Sequence, residues 1–516
     1  MPEDAPGNPG VLCREPDDVP EYAEEELTAA EGDDFAPAEG VPLNGDRVRG
    51  MQVKLHRWAG EDPSRRFGDL FNLVCDPWFL AEAWERARSN KGARTPGIDG
   101  VTAAQVERRE GGVSGFLAEI RGQLRTGNYR PSAVRQVMIP KKNGKLRQLG
   151  IPTLADRVVQ GALKLVLEPV FEADFHPCSY GFRPGRRAHD AIAEIHLLAS
   201  HGYTVVLEAD IRACFDEIDH TALMRRLRAR IKDKRVLALA RAFLKAGVMT
   251  GTWDREETLT GTPQGGILSP LLANIALSAL DEHFTRHGQQ AMSGWQRAAR
   301  RSKGLANWRL VRYADDFVVM VHGTVQQAEA LRAEAAAVLA PLGLRLAEEK
   351  TRIVTIDEGF DFLGFTIRRM RKRGTSRQYV YTVPSRKSIQ AVRDKVMAET
   401  CRSTQNQDFA TLLRNVNAVL AGWANYFRHG VSKAVFNKVD AYAWNRIMRW
   451  LRRKHQGRTG LGMPALRRRF CVPGTWIFAA NGTRLTGASA VPVTRYRYRG
   501  SSIPTPWAPQ PVPAAS

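Results

Sequence analysis

The stretch from Val311 to Met320, VRYADDFVVM, sets the carboxylates of Asp315 and Asp316 side by side within an apolar run. Successive side chains of a strand point to opposite faces, so an Asp-Asp pair inside one strand would aim a charge at the core. An unpaired buried charge is expensive. The pair becomes tolerable where two short strands meet in a hairpin and the carboxylates converge on a cation. The alternative is a polar turn between two core strands, and the rest of the chain has to separate the two.

The 516 residues suffice for two or three domains with cores of their own, and 43% hydrophobic content argues for such cores. Lys and Arg number 76 against 54 Asp and Glu, a formal charge of +22, which points to a polyanionic partner, nucleic acid first. The charge is uneven: the first fifty residues carry −11, leaving +33 on the rest. That opening is rich in Pro, Gly, Ala and acids without periodicity, and reads as a disordered tail over 1–50. Six cysteines without a close pair read as reduced thiols, which argues against a disulfide-stapled secreted protein. No apolar run has the length of a membrane span and no signal peptide is apparent, so a cytoplasmic protein without a membrane partner is expected.

Along the chain, FGDLFNLVCDPWFLAEAWERARSN has helical spacing, and AVRQVMIPKKNGKLRQLGIP reads as two short strands around a basic turn. TVVLEAD is an apolar strand ending in Asp210, GTPQGGILSPLLANIALSAL joins a Gly-rich turn to an apolar helix, and strands alternate with helices to about residue 370. Beyond that the pattern turns helical. FATLLRNVNAVLAGWANYF has one apolar face, and VFNKVDAYAWNRIMRWLRRKHQ interleaves Trp444, Ile447, Trp450 and Leu451 with Arg446, Arg449, Arg452 and Arg453. The ending, RYRYRGSSIPTPWAPQPVP, reads as a weakly ordered surface arm.

A strand ending in Asp210 and a hairpin tipped by Asp315 and Asp316 can pool three carboxylates around two divalent ions. Two ions about 3.5–4 Å apart can activate a 3′-hydroxyl and steady a leaving pyrophosphate. YADD and ADIRACFDEID resemble the active-site motifs of a reverse transcriptase, most closely those encoded by bacterial group II introns. ARTPGIDG, SYGFRPGRRAHDAI, GTPQGGILSPLLANI, LAEEKTRIV and FLGFTI resemble successive blocks of that family, and NAVLAGWANYF resembles its maturase (X, thumb) signature. The same motifs in the same order make the resemblance specific.

The resemblance implies an α+β right-hand polymerase. Its fingers and palm, an antiparallel palm sheet backed by helices, would occupy 65–370, and an all-helical thumb/maturase domain 380–475, with the C-terminal arm over 476–516. It implies an RNA-directed DNA polymerase that copies intron RNA and assists its splicing. Asp210, Asp315 and Asp316 would be catalytic and, with Ile211, would hold two Mg²⁺, Mn²⁺ being a substitute. Nucleotide contacts would fall on Arg135, Lys141, Arg147, Phe215 and Gln264, with Phe215 blocking a ribose 2′-OH. For these the alternatives are a solvated basic hairpin, a core aromatic and a plain tight turn. RNA would be held by Arg446, Arg449, Arg452 and Arg453, and the partners would be intron RNA, a DNA primer or target and dNTPs. Lys350 is either a charge near the primer or a helix-end lysine. Trp423, Tyr426 and Phe427 suit a thumb core better than a stacking platform, and Asp216 and Asp219 suit helix caps better than metal ligands.

Many relatives end in an endonuclease built on cysteine pairs and histidines. Beyond residue 450 this sequence has only His455 and Cys471, so an endonuclease-lacking enzyme is expected, bacterial and nucleoid-associated when on DNA. A reverse transcriptase domesticated for host defence and a non-catalytic splicing cofactor are the rival readings. The maturase signature counts against the first and the intact carboxylates against the second.

Overall fold

The computed structural model describes residues 44–140, 146–249, 255–256, 261, 265–286, 292–372, 374–455, 462–500 and 503–508. The acidic segment before residue 44 lies outside them, and the helix Asn44–Glu61 already begins inside the stretch read as tail. The described residues form two compact units: Ile356–Arg497 belongs to one, while 44–355 and the residues from Tyr498 on belong to the other. Among the described residues no helix is long and apolar enough to cross a membrane.

The larger unit is organised on the helix Leu154–Glu172, buried along nearly its whole length and capped by Thr153. The helices Asn44–Glu61 and Pro77–Ser89 pack on it. The second of these is not continuous with the helical turn Phe71–Val74, as the apolar spacing suggested. Asp76 accepts a hydrogen bond from the Trp78 amide at 2.8 Å and Pro77 takes the first helical position, a start signal that outweighs periodicity. Arg157 reaches out of the central helix and donates to the carbonyls of Pro152, Gly92 and Thr95 at 3.1, 2.7 and 2.7 Å. It thereby fastens the ARTPGIDG segment. Gly97 of that segment lies so close to the cap that an added Cβ would come within 2.6 Å of the Thr153 backbone.

Strands β1 (Val134–Pro140) and β2 (Leu146–Ile151) pair antiparallel, with β4 (Val248–Met249) and β5 (Arg255–Glu256) extending the sheet in the order β2-β1-β4-β5. The second sheet takes β3 (Val205–Asp210), β6 (Asn307–Tyr313), β7 (Asp316–His322) and β8 (Arg352–Thr355) in the order β6-β7-β3-β8, all pairs antiparallel. Its two inner strands, β3 and β7, are covered on both faces, which explains their nearly unbroken apolar runs: Phe317 to Val321 are fully buried. Helices Ala188–Ser200, Ser269–Arg286 and Val325–Leu339 back this sheet.

The C-terminal segment is not a weakly ordered arm where it is described. Arg499 forks onto Asp190 and donates to the Gly185 carbonyl at 2.8 Å. Ile503 and Trp507 are buried, and the Trp507 indole donates to Gln52, itself bonded to the Leu165 carbonyl of the central helix. Composition alone hides this, because one tryptophan and one arginine carry the docking.

The smaller unit holds the antiparallel strands β9 (Phe360–Phe362), β10 (Phe365–Arg371) and β11 (Gln378–Pro384), then helices Arg386–Glu399, Phe409–Phe427, Lys433–Lys454 and Met463–Phe470. A short hairpin, Ala479–Ala480 with Thr483–Arg484, follows. The unit is mainly helical: β9 and β10 precede residue 380, where the helical thumb/maturase domain was expected to begin, β11 runs across that boundary, and the short hairpin lies beyond 475. Phe427 is buried, and Trp423 and Tyr426 are half-buried beside it: Trp423 donates to the Ser388 carbonyl at 3.2 Å and Tyr426 to the Leu363 carbonyl at 2.9 Å, while Phe427 lies 4.8 Å from Phe365 ring to ring. All three are engaged within their own unit, which suits core packing better than a stacking platform.

Because Trp507 fills a site on the larger unit, Trp507→Ala should lower the thermal unfolding midpoint by more than about 5 °C. A chain ended after Arg497 should fall at least as far. Differential scanning calorimetry checks both, and an unchanged midpoint would show that the segment adds no stability.

Candidate active site

The site grows from the tip of the β6–β7 hairpin. Tyr313 pairs with Asp316, so Ala314 and Asp315 form a two-residue turn, with Ala314 in the left-handed region at φ 57°. A non-glycine residue there is strained and persists only where its surroundings hold it. Arg312 does the holding. Fully buried, it donates to both carboxylate oxygens of Asp281 at 2.8 and 2.6 Å, to Asn274 at 3.0 Å, to Ser179 at 2.8 Å and to the Ala314 carbonyl at 2.9 Å. Burial opposes its charge, but the buried Asp281 carboxylate outweighs this and holds the guanidinium above its usual value.

The same cluster positions the SYGFRPG segment. The Tyr180 amide donates to the Arg312 carbonyl and the Arg312 amide to the Cys178 carbonyl, each at 2.8 Å, and Asn274 donates to the Gly181 carbonyl at 2.9 Å. Gly181 lies against the turn so closely that a Cβ would overlap the backbone of Tyr313 and Ala314.

Asp210 ends β3 and stands opposite Asp316 in the strand register. Its carbonyl accepts from the Ala347 amide at 2.8 Å, and its carboxylate is paired with the Lys350 ammonium. Lys350 is therefore a direct counter-charge to the first carboxylate. Asp316 keeps access to solvent, yet the protein around it, then the charges of Asp315 and Asp210, push it up to about 7. Among the described residues no three acids stand close enough to cage a metal as placed. The donor chemistry nevertheless suits one: three oxygen ligands that repel one another are what a hard divalent cation relieves. Ile211 is buried and bridges to Leu346, so its side chain is core.

Phe215 lies one turn beyond Asp210, half-buried, with its ring 6.3 Å from Phe182. Gly261 is pinned to this turn. Its amide donates to the Ile218 carbonyl at 2.8 Å, its carbonyl meets His220 at 2.6 Å, and a Cβ on it would come within 2.6 Å of the Phe215 and Asp216 backbone. Gly265 presses on the other side against the Gly150 carbonyl of β2. Gly261 thus lies against the Phe215 turn and Gly265 against strand β2, each where a side chain would not fit. Asp219 caps the helix His220–Arg230 through the Ala222 amide at 2.7 Å.

Arg135 projects from β1 with its Nε buried and without a hydrogen-bond partner. Lys141, Gln264 and the Arg147 side chain lie outside the described residues. Of the four arginines on Lys433–Lys454, Arg446 and Arg453 turn inward. They donate to Thr400 and to the Thr400 carbonyl, at 3.0 and 2.9 Å, closing the C-terminus of the helix Arg386–Glu399. Arg449 and Arg452 stay exposed. The sequence reading missed Arg312, Asp281, Asn274 and Gly181. The available signal is the placement of Asn274 and Asp281 two turns apart among the apolar residues of one helix.

Two family models match: reverse transcriptase (RNA-dependent DNA polymerase) over residues 139–367 and the group II intron maturase-specific domain over 389–470. The chain is 41% identical over 360 residues to protein YkfC of Escherichia coli K12, an alignment covering 66% of this chain and 93% of YkfC. The chain belongs to the group II intron-encoded reverse transcriptase/maturase family. It is 33% identical over 368 residues to the group II intron-encoded protein LtrA of Lactococcus lactis, covering 62% of this chain and 60% of LtrA. A 91 kDa protein in a cob intron of Schizosaccharomyces pombe is 31% identical over 370 residues, with 45% of its length covered. The reverse transcriptase match includes all three carboxylates, and the maturase match begins within the helix Arg386–Glu399.

If the buried cluster sets the turn, Gly181→Ala should displace Ala314 and Asp315 and lower primer extension on an RNA template by about 10²-fold. RNA affinity and circular dichroism should stay close to wild type. Single-nucleotide extension checks this, and full activity in the variant would show that the turn tolerates the shift.

Proposed function

We propose that the chain copies group II intron RNA into DNA at Asp210, Asp315 and Asp316, and that it also holds that RNA in a form competent to splice. The observation that carries the polymerase reading is the juxtaposition of Asp210 and Asp316 on adjacent strands beside the Asp315 turn, close enough for the other two charges to raise Asp316. The three carboxylates would hold two Mg²⁺, with Mn²⁺ as a substitute. When bound, the ions would activate a primer 3′-hydroxyl and neutralise charge on the leaving pyrophosphate.

The chain's own residues prepare that chemistry. Lys350 neutralises Asp210 and would hold its charge until a divalent cation replaced it. Phe215 closes the space beside the sugar, which favours deoxynucleotides. Arg135 has a buried donor to offer a nucleotide phosphate, and Lys141, Arg147 and Gln264 would share that task. On the maturase side Arg449 and Arg452 are the arginines of their helix left exposed for RNA phosphates. A DNA primer or target and dNTPs complete the partners.

The two activities should separate. The double variant Asp315→Asn, Asp316→Asn should lose primer extension by about 10³-fold or more while still promoting splicing of the cognate intron at low Mg²⁺. Parallel splicing and extension assays decide. Equal loss of both would unite the two functions in one site.

Acidity offers a second check. A carboxyl whose folded value is raised to about 7 adds stability below the ordinary carboxyl range, lost as pH rises through 7. For ion binding the sign reverses, because Asp316 becomes neutral as pH falls. The Mg²⁺ concentration for half-maximal extension should therefore climb as pH drops from 8 to 6, and in Asp316→Asn this climb should flatten. An Mg²⁺ requirement independent of pH in the wild type would contradict the coupling.

A further inference from the structure

The β10–β11 hairpin carries a second, ordered combination of charge and aromatic surface. Between Thr366 and Val383 the chain has six Arg and Lys and no acid. Register decides which of these share a face. Arg368 pairs with Tyr381 and Met370 with Tyr379, and the Lys372 amide donates to the Arg377 carbonyl at 2.9 Å, so these six residues line one side of the ribbon. The opposite side begins with Ile367, fully buried, and continues to Arg369, which is salt-bridged to Asp357. One face is thus built into its own unit, while the other presents Tyr379 at 45% exposure between Arg368, Lys372 and Arg377, all exposed.

Trp295, Trp476 and Tyr498 are exposed as well, but Tyr379 is set between three exposed cations on one face of a paired ribbon. A solvated basic strand needs no tyrosines, and a structural tyrosine would face inward. Cations alternating with aromatic rings suit a strand of nucleic acid, whose phosphates meet the cations while its unpaired bases stack on the rings. A base-paired duplex cannot present base faces to Tyr379.

We propose that this ribbon is a binding surface for single-stranded RNA, with Tyr379 as the stacking platform, Tyr381 beside it, and Lys372 and Arg377 as phosphate contacts. Arg368 is anchored to the Asp357 carbonyl at 2.9 Å and steadies the base of the ribbon. The inference rests on the reading of the chain as an RNA-handling enzyme and adds to it a surface in the unit that does not contain the carboxylates.

The full chain is tested by fluorescence anisotropy with a 20-nucleotide unstructured RNA and with an RNA duplex of the same length, over a salt series. Tyr379→Ala should weaken single-strand binding by about fivefold or more, Tyr379→Phe should restore it, and duplex affinity should stay unchanged. Lys372→Ala with Arg377→Ala should lower the slope of log K against log salt on the single strand by about 1.4, roughly 0.7 for each lost phosphate contact. Unchanged single-strand affinity and slope would overturn the proposal, as would equal losses on strand and duplex from Tyr379→Ala. A wild-type chain that binds neither RNA would instead remove the RNA-handling reading itself. Thermal midpoints within about a degree of wild type, expected for exposed positions, keep folding out of the comparison.

Discussion

The Arg312–Asp281 pair is the interaction on which the candidate active site depends. Taking both charges out of water is costly, and an apolar pair of similar volume would often be as stable. What an apolar pair cannot do is donate to the Ala314 carbonyl, to Ser179 and to Asn274 from one rigid planar group. The guanidinium joins the hairpin turn, the SYGFRPG segment and the helix Ser269–Arg286 at fixed distances. Removing either partner would strand the other and cost about 3–5 kcal/mol. The pair contributes geometry more than net stability, and it does so beneath the turn that carries Asp315 and leads into Asp316.

The same device recurs in the larger unit. Arg183 pairs with Glu172 in the interior and donates to the carbonyls of His176 and Ser179 at 2.6 and 2.8 Å, and Arg157 binds three loop carbonyls. In the smaller unit Arg446 and Arg453 close a helix end. A formal charge of +22 is therefore an overstatement of the charge available to RNA, since several arginines serve as internal cross-links. Arginine suits both tasks because its five donors can satisfy several carbonyls while its charge remains. What separates the tasks is exposure, and exposure is decided by packing rather than by composition.

That distinction marks how far the sequence could be read. The hairpin at Tyr313–Asp316, the strand ending in Asp210 and the helix 409–427 are legible because local periodicity and burial agree. The helix break at Asp76–Pro77 was legible too, through its cap, but periodicity obscured it. The roles of Arg446 and Arg453 were not legible, since a basic stripe looks the same whether it meets phosphate or a neighbouring helix end. Nor was the docking of Trp507, a contact made between residues more than 400 positions apart. The carboxylates were read from motif and order. The arginine that positions their turn sits one residue before Tyr313 and carries no local pattern to mark it.

The electrostatics of the three acids follow from this rigid support. A flexible turn would relax, letting Asp315 move away from Asp316 and weakening its push on the Asp316 carboxyl. Arg312 on one side and the β3–β7 register on the other keep the acids together, and burial first, then the charges of Asp315 and Asp210, raise Asp316, while Asp210 pairs with Lys350. Lys350 brings a single charge to a site of three, from a side chain that is 61% exposed. One exposed ammonium is a weak match for that field. The arrangement leaves net negative charge at the hairpin tip, and it is stiffness, not the number of acids alone, that keeps the three carboxylates near one another.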